Sequence, residues 1–140
     1  MPVIGNITFD CADPRSVSDF WSDVMGYERS EYPPEMRAEL IAAGLTEDDL
    51  AMRGLAWGGP GTQRFFFNRV PEGKVVKNRV HVDLNAAAHG RATRDQVDAE
   101  VERIVALGAT VLAKHDSHWG PYPEYHYVLA DPEGNEFCVQ

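Results

Sequence analysis

The sequence predicts an α+β fold in which a strand, a helix and then further strands occur twice along the chain. The first copy opens with residues 4–11, where apolar and polar residues alternate as in a half-buried strand, and continues into a helical pattern from Ser16 to Met25. The second copy opens with Arg79 to Asn85 and continues into a helical pattern from Thr93 to Leu107. A repeat of this kind can curl two half-sheets around one cavity, and polar residues on the inner faces would line it.

The elements of the first half have local start and stop signals. Asp13 or Ser16 can cap the helix, and Gly26 can end it. Residues 33–52 then interrupt the repeat with two short helical patterns that the second half lacks. This insertion is either a lid or dimer contact, or a plain surface excursion. Strands are expected to resume at 54–57 and at 64–70.

The second half is predicted to end in a hairpin. A strand is expected at 109–113, followed by a looser segment at 114–124 that is rich in His, Pro, Gly and aromatic residues. The turn Asp-Pro-Glu-Gly-Asn at 131–135 separates two alternating runs, 125–130 and 136–140, and is typical of a hairpin connection.

Length and composition favour one packed domain. The chain has 140 residues, of which 44% are hydrophobic, enough for a packed interior. We expect a single domain over 1–140, with module one at about 1–70, a linker at about 71–77 and module two at about 78–140.

Charge and cysteine usage exclude several partners. The net charge of −9 argues against nucleic acid and against an anionic membrane surface, since both require clustered Lys and Arg. The N-terminal residues lack a secretory signal pattern, and no apolar run is long enough to span a membrane. Cys11 and Cys138 are interpreted as small buried residues in a reducing cytoplasm, where we expect the protein to be located.

One face of the strand from Arg79 to Asn85 is polar. Its apolar residues are expected to face the helix, which leaves four polar side chains on the opposite face: Arg79, His81, Asp83 and Asn85. This face is either an exposed sheet surface or the wall of a polar cavity. Nearby, Lys74, Lys77 and Arg79 form a small basic cluster, either an anion contact or a solvated linker.

The final strand provides a possible partner for His81. Glu136 shares one face of that strand with Cys138 and Gln140. If the repeat folds symmetrically, the first and last strands of the second half lie close together, and His81 can meet Glu136. An imidazole nitrogen and a carboxylate oxygen are common ligands of a divalent metal ion.

Aromatic residues could line the same cavity. Trp57, Phe66 and Tyr125 are candidates, although core packing explains most aromatic residues. His118 and Trp119 lie in the looser segment, which is either a rim over the cavity or a solvated loop. The chain has no CxxC pair and no phosphate-binding glycine loop, and its residue order does not favour a Ser-His-Asp triad.

Several motifs together resemble those of one protein family. They are Asp13-Pro14, Phe20-Trp21 and Gly26-Tyr27 in the first half, Val70-Pro71-Glu72, the run from Lys77 to Leu84, and the run from Asp131 to Phe137. In combination they are similar to the glyoxalase-like proteins, a branch of the vicinal oxygen chelate superfamily that includes glyoxalase I, extradiol dioxygenases and bleomycin-resistance proteins. The resemblance covers nearly the whole chain except residues 33–52.

The resemblance implies a fold and a ligand set. The implied fold has two βαβββ modules forming a cupped, mostly antiparallel eight-stranded sheet with helices on the outer face, often in a homodimer. Family metal enzymes place ligands on the first and last strands of each module, which His81 and Glu136 match. Asn6 stands where a His or Gln is usual, and the strand at 64–68 offers no carboxylate. The implied metal is a divalent ion such as Zn, Ni, Mn or Fe.

Three functions follow as hypotheses. The first is a metal-assisted lyase, isomerase or dioxygenase acting on a small oxygen-bearing substrate, in which His81, Glu136 and Asn6 bind the ion and Glu136 moves the proton. The second is a non-catalytic, antibiotic-type binding protein with a degraded metal site, and the third is a dimeric domain whose cavity is vestigial. The side chains expected to contact a small-molecule ligand are those of Asp83, Trp57, Phe66, His118, Trp119 and Tyr125.

Overall fold

A computed structural model describes all residues from 1 to 140, and it divides into two compact units. The N-terminal unit comprises residues 1–73 and the C-terminal unit residues 74–140. Together the units contain four helices and seven strands, arranged in one sheet of three strands and one of four. The α+β class predicted from the sequence is therefore confirmed.

The N-terminal unit contains three helices and three strands. They are β1 (Ile7–Cys11), α1 (Pro14–Met25), α2 (Pro34–Ala42), α3 (Glu47–Leu50), β2 (Arg53–Ala56) and β3 (Phe65–Arg69). The strand order is β1-β3-β2. The central strand β3 pairs with β1 in parallel and with β2 in antiparallel orientation.

The C-terminal unit contains one helix and four strands. They are β4 (Asp83–Leu84), α4 (Arg94–Ala106), β5 (Thr110–Trp119), β6 (Tyr122–Ala130) and β7 (Glu136–Val139). The strand order is β4-β7-β6-β5, with β4 parallel to β7 and the other pairs antiparallel. The predicted hairpin around 131–135 is confirmed as the β6–β7 connection.

The predicted repeat is present, with one strand fewer than the eight expected. In both units the first strand pairs in parallel with the last. Between α1 and β2, however, the N-terminal unit has helices α2 and α3, where the C-terminal unit has β5. Pro34 in the first turn of α2 and the Thr46 capping box of α3 favour helix in this segment. The helices predicted within 33–52 are thus confirmed, and they occupy the place of the missing strand.

Helix α1 begins and ends as its sequence predicts. The Asp13 carboxylate accepts a hydrogen bond from the Ser16 N–H at 3.2 Å. Gly26 ends the helix in a left-handed conformation, with φ of 68°. The apolar stripe of α1 packs on an aromatic core, in which Trp21, Phe65 and Phe67 are fully buried. Burial of this aromatic surface stabilises the unit.

Helix α1 also lies unusually close to strand β2. A side chain at Gly54 would collide with the carbonyl oxygen of Pro14 and would lie 2.9 Å from the Ser18 hydroxyl. The missing Cβ of Gly54 therefore lets the first turns of α1 pack directly against the strand.

The C-terminal unit packs α4 on its sheet with aliphatic side chains. Those of Val97, Val101 and Ile104 are buried on the helix, and those of Leu129, Phe137 and Val139 on the strands. The capping box of Thr93 and Gln96 fixes the helix start.

Two predictions for the C-terminal unit were wrong in detail. Residues 114–124 do not form a looser segment, because β5 and β6 pair along their full lengths and turn at Gly120 and Pro121. The strand predicted over 79–85 is shorter, since only Asp83 and Leu84 form β4. None of the helices is long and apolar enough to cross a membrane.

Candidate metal centre

The C-terminal unit contains a cavity of about 410 Å³ with a largely polar wall. His81 and Asp83 reach it from the start of β4, and Cys138 reaches it from β7. His126 of β6 and Arg91, which precedes α4, also line the cavity. The sequence left open whether the polar face of the 79–85 segment is exposed or lines a cavity, and the structure places His81, Asp83 and Asn85, though not Arg79, along this cavity.

Three side chains with metal-binding atoms meet on this wall. One ligand atom each of His81, Asp83 and Cys138 lies within 4.8 Å of the others. The His81 Nε2 atom is 3.2 Å from the Asp83 Oδ1 atom. An imidazole nitrogen, a carboxylate oxygen and a thiol sulfur are all ligands of Zn²⁺ and similar divalent ions, so this donor set fits a metal ion.

The parallel pairing of β4 and β7 brings these residues together. Asp83 is the register partner of Cys138, and the Cys138 N–H donates to the Val82 carbonyl at 2.9 Å. Partners on neighbouring strands point to the same side of a sheet, and residues two apart on one chain do so as well. Asp83 therefore faces the same side as Cys138, and His81, which precedes the strand, lies beside Asp83.

The Cys138 thiol is protonated at neutral pH in the metal-free protein. Burial, with help from the charge of Asp83 and a hydrogen bond to it, raises the pKa of Cys138 to about 11. The residue is 8% exposed. A divalent ion at this place would take the position of the thiol proton, because a thiolate is the metal ligand.

Glu136 is bound by other groups than His81. The Lys74 Nζ atom is 2.9 Å from its carboxylate, and the Asn78 N–H donates to that carboxylate at 3.0 Å. Burial by itself would raise the pKa of Glu136, but the hydrogen bonds from Lys74 and Asn78 lower it overall. The basic cluster around Lys74 thus contributes an anion contact, and the anion is a side chain of the protein itself.

The short β4 explains why Glu136 is absent from the cluster around His81. A strand over 79–85 would run beside Glu136, but β4 begins only at Asp83. The preceding segment instead turns Asn78 toward Glu136, so that its N–H and its side-chain amide both bond to that residue. The pair expected from the sequence, His81 with Glu136, is replaced around His81 by Asp83 and Cys138.

An amide pair lies beside the three-residue cluster. The Gln140 side-chain amide donates to the Asn85 side-chain carbonyl at 3.3 Å, and both residues line the cavity. This bond leaves the amide nitrogen of Asn85 and the amide oxygen of Gln140 free to bond to a ligand.

The residues of β6 point alternately to the two sides of the sheet. The hydroxyls of Tyr125 and Tyr127 donate to the Asp98 carboxylate of α4 at 2.6 and 2.7 Å, so these side chains lie on the helix side. His126 points the other way and stacks on His115 of β5, with ring centroids 4.7 Å apart. Tyr125 is among the residues around the cavity, but its hydroxyl is directed toward the helix.

The remaining predicted ligand contacts are not among the residues that line this cavity. His118 and Trp119 are exposed near the end of β5, and neither lines the cavity. Trp57 and Phe66 belong to the N-terminal unit and are half-buried, with the Arg64 guanidinium 5.1 Å from the Trp57 ring. Asn6 is exposed just before β1. The ligand roles of these five residues stay predictions.

Sequence reasoning missed two residues of the site. Cys138 was interpreted only as a small buried residue, although it shares a strand face with Glu136. His126 alternates along its strand with Tyr125 and Tyr127, and the sequence alone does not decide which of the two faces looks into the cavity. Both residues could have been found from the alternation of side chains along β6 and β7. That alternation assigns each side chain to a face only when one residue on each strand is known to face α4.

Comparison with known families agrees with the resemblance to glyoxalase-like proteins that the sequence motifs indicated. The profile of a family described as "Glyoxalase-like domain" matches residues 6–140. The chain belongs to the glyoxalase-like family. Its solved structural neighbours lie in the glyoxalase/bleomycin resistance/dioxygenase group, the vicinal oxygen chelate superfamily. The resemblance found in the sequence is therefore confirmed.

Three solved structures illustrate the similarity of fold. A glyoxalase/bleomycin resistance protein/dioxygenase family enzyme from Burkholderia phytofirmans PsJN is 19% identical with a TM-score of 0.61, covering 96% of this chain and 94% of its own. A mutant form of the fosfomycin resistance protein FosX from Listeria monocytogenes, complexed with Mn(II) and 1S,2S-dihydroxypropylphosphonic acid, is 12% identical with a TM-score of 0.64, covering 100% and 90%. Lactoylglutathione lyase from Agrobacterium tumefaciens is 18% identical with a TM-score of 0.57, covering 99% and 92%.

At these identities the neighbours establish the fold of the glyoxalase-like protein and leave its chemistry to its own residues. No curated protein matches the chain significantly in sequence.

Proposed function

We propose that this glyoxalase-like protein is a metal-assisted lyase, isomerase or dioxygenase that acts on a small oxygen-bearing substrate in the cavity of its C-terminal unit. The observation that carries the proposal is the position of His81, which lies with two other side chains of metal-ligand type on the cavity wall. The cofactor in this proposal is a divalent ion of Zn, Ni, Mn or Fe.

The bound ion would supply Lewis-acid polarisation of neighbouring substrate oxygens. The residues of the chain would do the rest. His81 would hold the ion, and the free amide groups of Asn85 and Gln140 would orient the substrate by hydrogen bonds. Arg91, also on the wall, offers a positive charge to an anionic part of the substrate.

Glu136 is the proposed proton acceptor. Its hydrogen bonds from Lys74 and Asn78 lower its pKa, so the carboxylate is ionised at neutral pH but is a weaker base than an ordinary glutamate as long as they persist. Its contact with Lys74 holds it in place and would have to open before a proton is transferred. Asn6 stays a proposed additional ligand from the N-terminal unit. A homodimer and a cytoplasmic location also stay proposals.

The test is metal content and ligand binding in the purified protein. We expect elemental analysis to find a divalent ion, or titration to load one, and we expect His81→Ala to reduce loading by more than about tenfold. A protein that neither contains nor takes up Zn, Ni, Mn or Fe would exclude this mechanism. If the protein binds a divalent ion, its activity would be screened with fosfomycin and with lactoylglutathione. One structural neighbour is a fosfomycin resistance protein, and another is a lactoylglutathione lyase.

A second candidate function is binding without chemistry. The observation that favours it is the engagement of Glu136 by Lys74 and Asn78, which leaves the carboxylate at the family position unavailable. In that case small-molecule ligands should raise the melting temperature equally with and without a chelator. Loss of every such shift in the presence of a chelator would count against pure binding.

A further inference from the structure

Resting on the proposed metal-assisted function, we infer that the ion is held by a thiolate-containing set, His81, Asp83 and Cys138, that selects a zinc-type ion over Mn²⁺ and excludes Glu136 from coordination. The inference concerns the identity of the ligands and the metal. It uses side chains that the family resemblance did not place in the ligand set.

The first argument is distance. Two ligand atoms bound to one tetrahedral zinc ion lie roughly 3.3 to 3.6 Å apart. The His81 Nε2 and Asp83 Oδ1 atoms are already 3.2 Å apart, and the third ligand atom, on Cys138, lies within 4.8 Å of both. Small rotations of side chains on the cavity wall would close the set around an ion.

The second argument is access. His81 and Asp83 have side chains that are 42% and 47% exposed, whereas Cys138 is 8% exposed. The ligand atoms therefore span the cavity wall from its open side to its floor. An ion bound there would keep an open position toward the cavity, as catalytic zinc sites do.

The third argument is donor chemistry. Thiolate sulfur is a soft ligand that favours zinc, whereas Mn²⁺ favours carboxylate, carbonyl and water oxygens. Cys138 brings sulfur into a set whose other members are imidazole and carboxylate. The Mn(II) bound in the FosX neighbour is thus no guide to the ion in this chain.

The fourth argument is the engagement of Glu136. Its carboxylate contacts the Lys74 ammonium and the Asn78 N–H, and its side chain is 12% exposed. An ion at Glu136 would have to displace the Lys74 ammonium, which contacts that carboxylate at 2.9 Å, whereas an ion at Asp83 and Cys138 would take the place of the thiol proton.

The decisive experiment is a titration with Co²⁺, which reports its ligands by colour. We expect the wild-type protein to show the near-ultraviolet charge-transfer band of a cobalt–thiolate bond together with the visible bands of tetrahedral cobalt. Cys138→Ser should remove the charge-transfer band and lower the ratio of Zn²⁺ to Mn²⁺ affinity by roughly tenfold or more.

Two variants serve as matched controls. Cys11→Ala removes the other buried thiol, which lies in the N-terminal unit, and should leave the charge-transfer band unchanged. Glu136→Gln should leave Co²⁺ affinity within about threefold of wild type, because that carboxylate is outside the proposed set. Circular dichroism checks the fold of each variant, and the wild-type and Cys11→Ala spectra decide the question even if Cys138→Ser does not fold.

The outcomes separate this inference from the function on which it rests. Cobalt bound without a charge-transfer band, or binding abolished by Glu136→Gln and retained in Cys138→Ser, overturns the thiolate set and leaves the metal-assisted function standing. Failure of the wild-type protein to bind any divalent ion overturns both.

Discussion

The two units pack a helix on a sheet in different ways. In the N-terminal unit, α1 rests on aromatic rings, with Phe9 and Phe65 5.1 and 5.2 Å from Trp21 between centroids. In the C-terminal unit, the buried residues of α4 are aliphatic, and its outer side is tied to β6 by the hydrogen bonds of Asp98. The first contact is dry and tightly fitted, whereas the second is partly polar.

The two units also differ on the face of each sheet that lies away from its helix. In the N-terminal unit, the face away from α1 carries side chains such as those of Thr8, Asp10 and Phe66, and it gathers no set of metal ligands. The corresponding face of the C-terminal unit carries His81, Asp83 and Cys138. A duplicated fold can thus keep its backbone pairing in both copies while one copy alone has the donors for chemistry.

The largest expected effect comes from removing the aromatic centre of the N-terminal unit. Trp21→Ala should lower the free energy of unfolding by about 3 to 5 kcal/mol, since a fully buried indole leaves a cavity among close-packed rings. The matched control is Trp119→Ala in the C-terminal unit, where the side chain is 73% exposed and the change should stay within about 0.5 kcal/mol. Urea unfolding followed by far-ultraviolet circular dichroism measures both, and equal effects would contradict the contrast in packing.

An intermediate effect is expected where α1 meets β2. Gly54→Ala should cost about 1 to 3 kcal/mol, because the new methyl group would collide with the Pro14 carbonyl and force the helix away from the strand. Gly5→Ala adds the same methyl group in open space and should change stability by less than about 0.5 kcal/mol. If thermal unfolding shows no difference between these variants, the close approach is not a constraint.

The smallest expected effect tests the polar contact of the C-terminal unit. Hydrogen bonds from Tyr125 and Tyr127 hold the pKa of Asp98 below its usual value. A carboxyl group with a lowered folded-state pKa stabilises the protein above its unfolded-state pKa, and that contribution disappears as the pH falls through the folded-state pKa. Asp98→Asn should therefore destabilise the protein at about pH 7 and have little effect at about pH 2.

The measurement is the unfolding free energy of both proteins across this pH range. Glu102→Gln, at an exposed position on the same helix, serves as the control and should change the free energy of unfolding by less than about 0.5 kcal/mol. A deficit of Asp98→Asn that is constant with pH would show that the carboxylate charge is not what matters.

Local signals in the sequence were sufficient for most elements. The Asp13 cap, the Gly26 stop and the apolar spacing within a helix act over a few residues, so the patterns predicted at Ser16–Met25 and Thr93–Leu107 end within two positions of α1 and α4. The hairpin after Ala130 followed in the same way from its turn residues.

Contacts distant in sequence decided the parts that could not be predicted. The segment 114–124 is rich in residues typical of loops, yet it forms strand because β6 satisfies its backbone hydrogen bonds. The proximity of Asp83 to Cys138 depends on a parallel register that no local pattern specifies. The sequence therefore left open whether His81 faces a polar cavity, and it paired His81 with Glu136, whereas the structure places Asp83 and Cys138 beside it.

The parallel pairing of β4 with β7 has a consequence for how the C-terminal unit folds. The hairpin β5–β6 joins neighbouring residues and can form early, but Asn85 and Gln140 meet across 55 positions. Closing so long a loop carries an entropic cost that local pairing avoids. We expect the β4–β7 edge of this sheet to be among the last parts to assemble, so that an ion bridging these two parallel strands would act as a cross-link and slow unfolding.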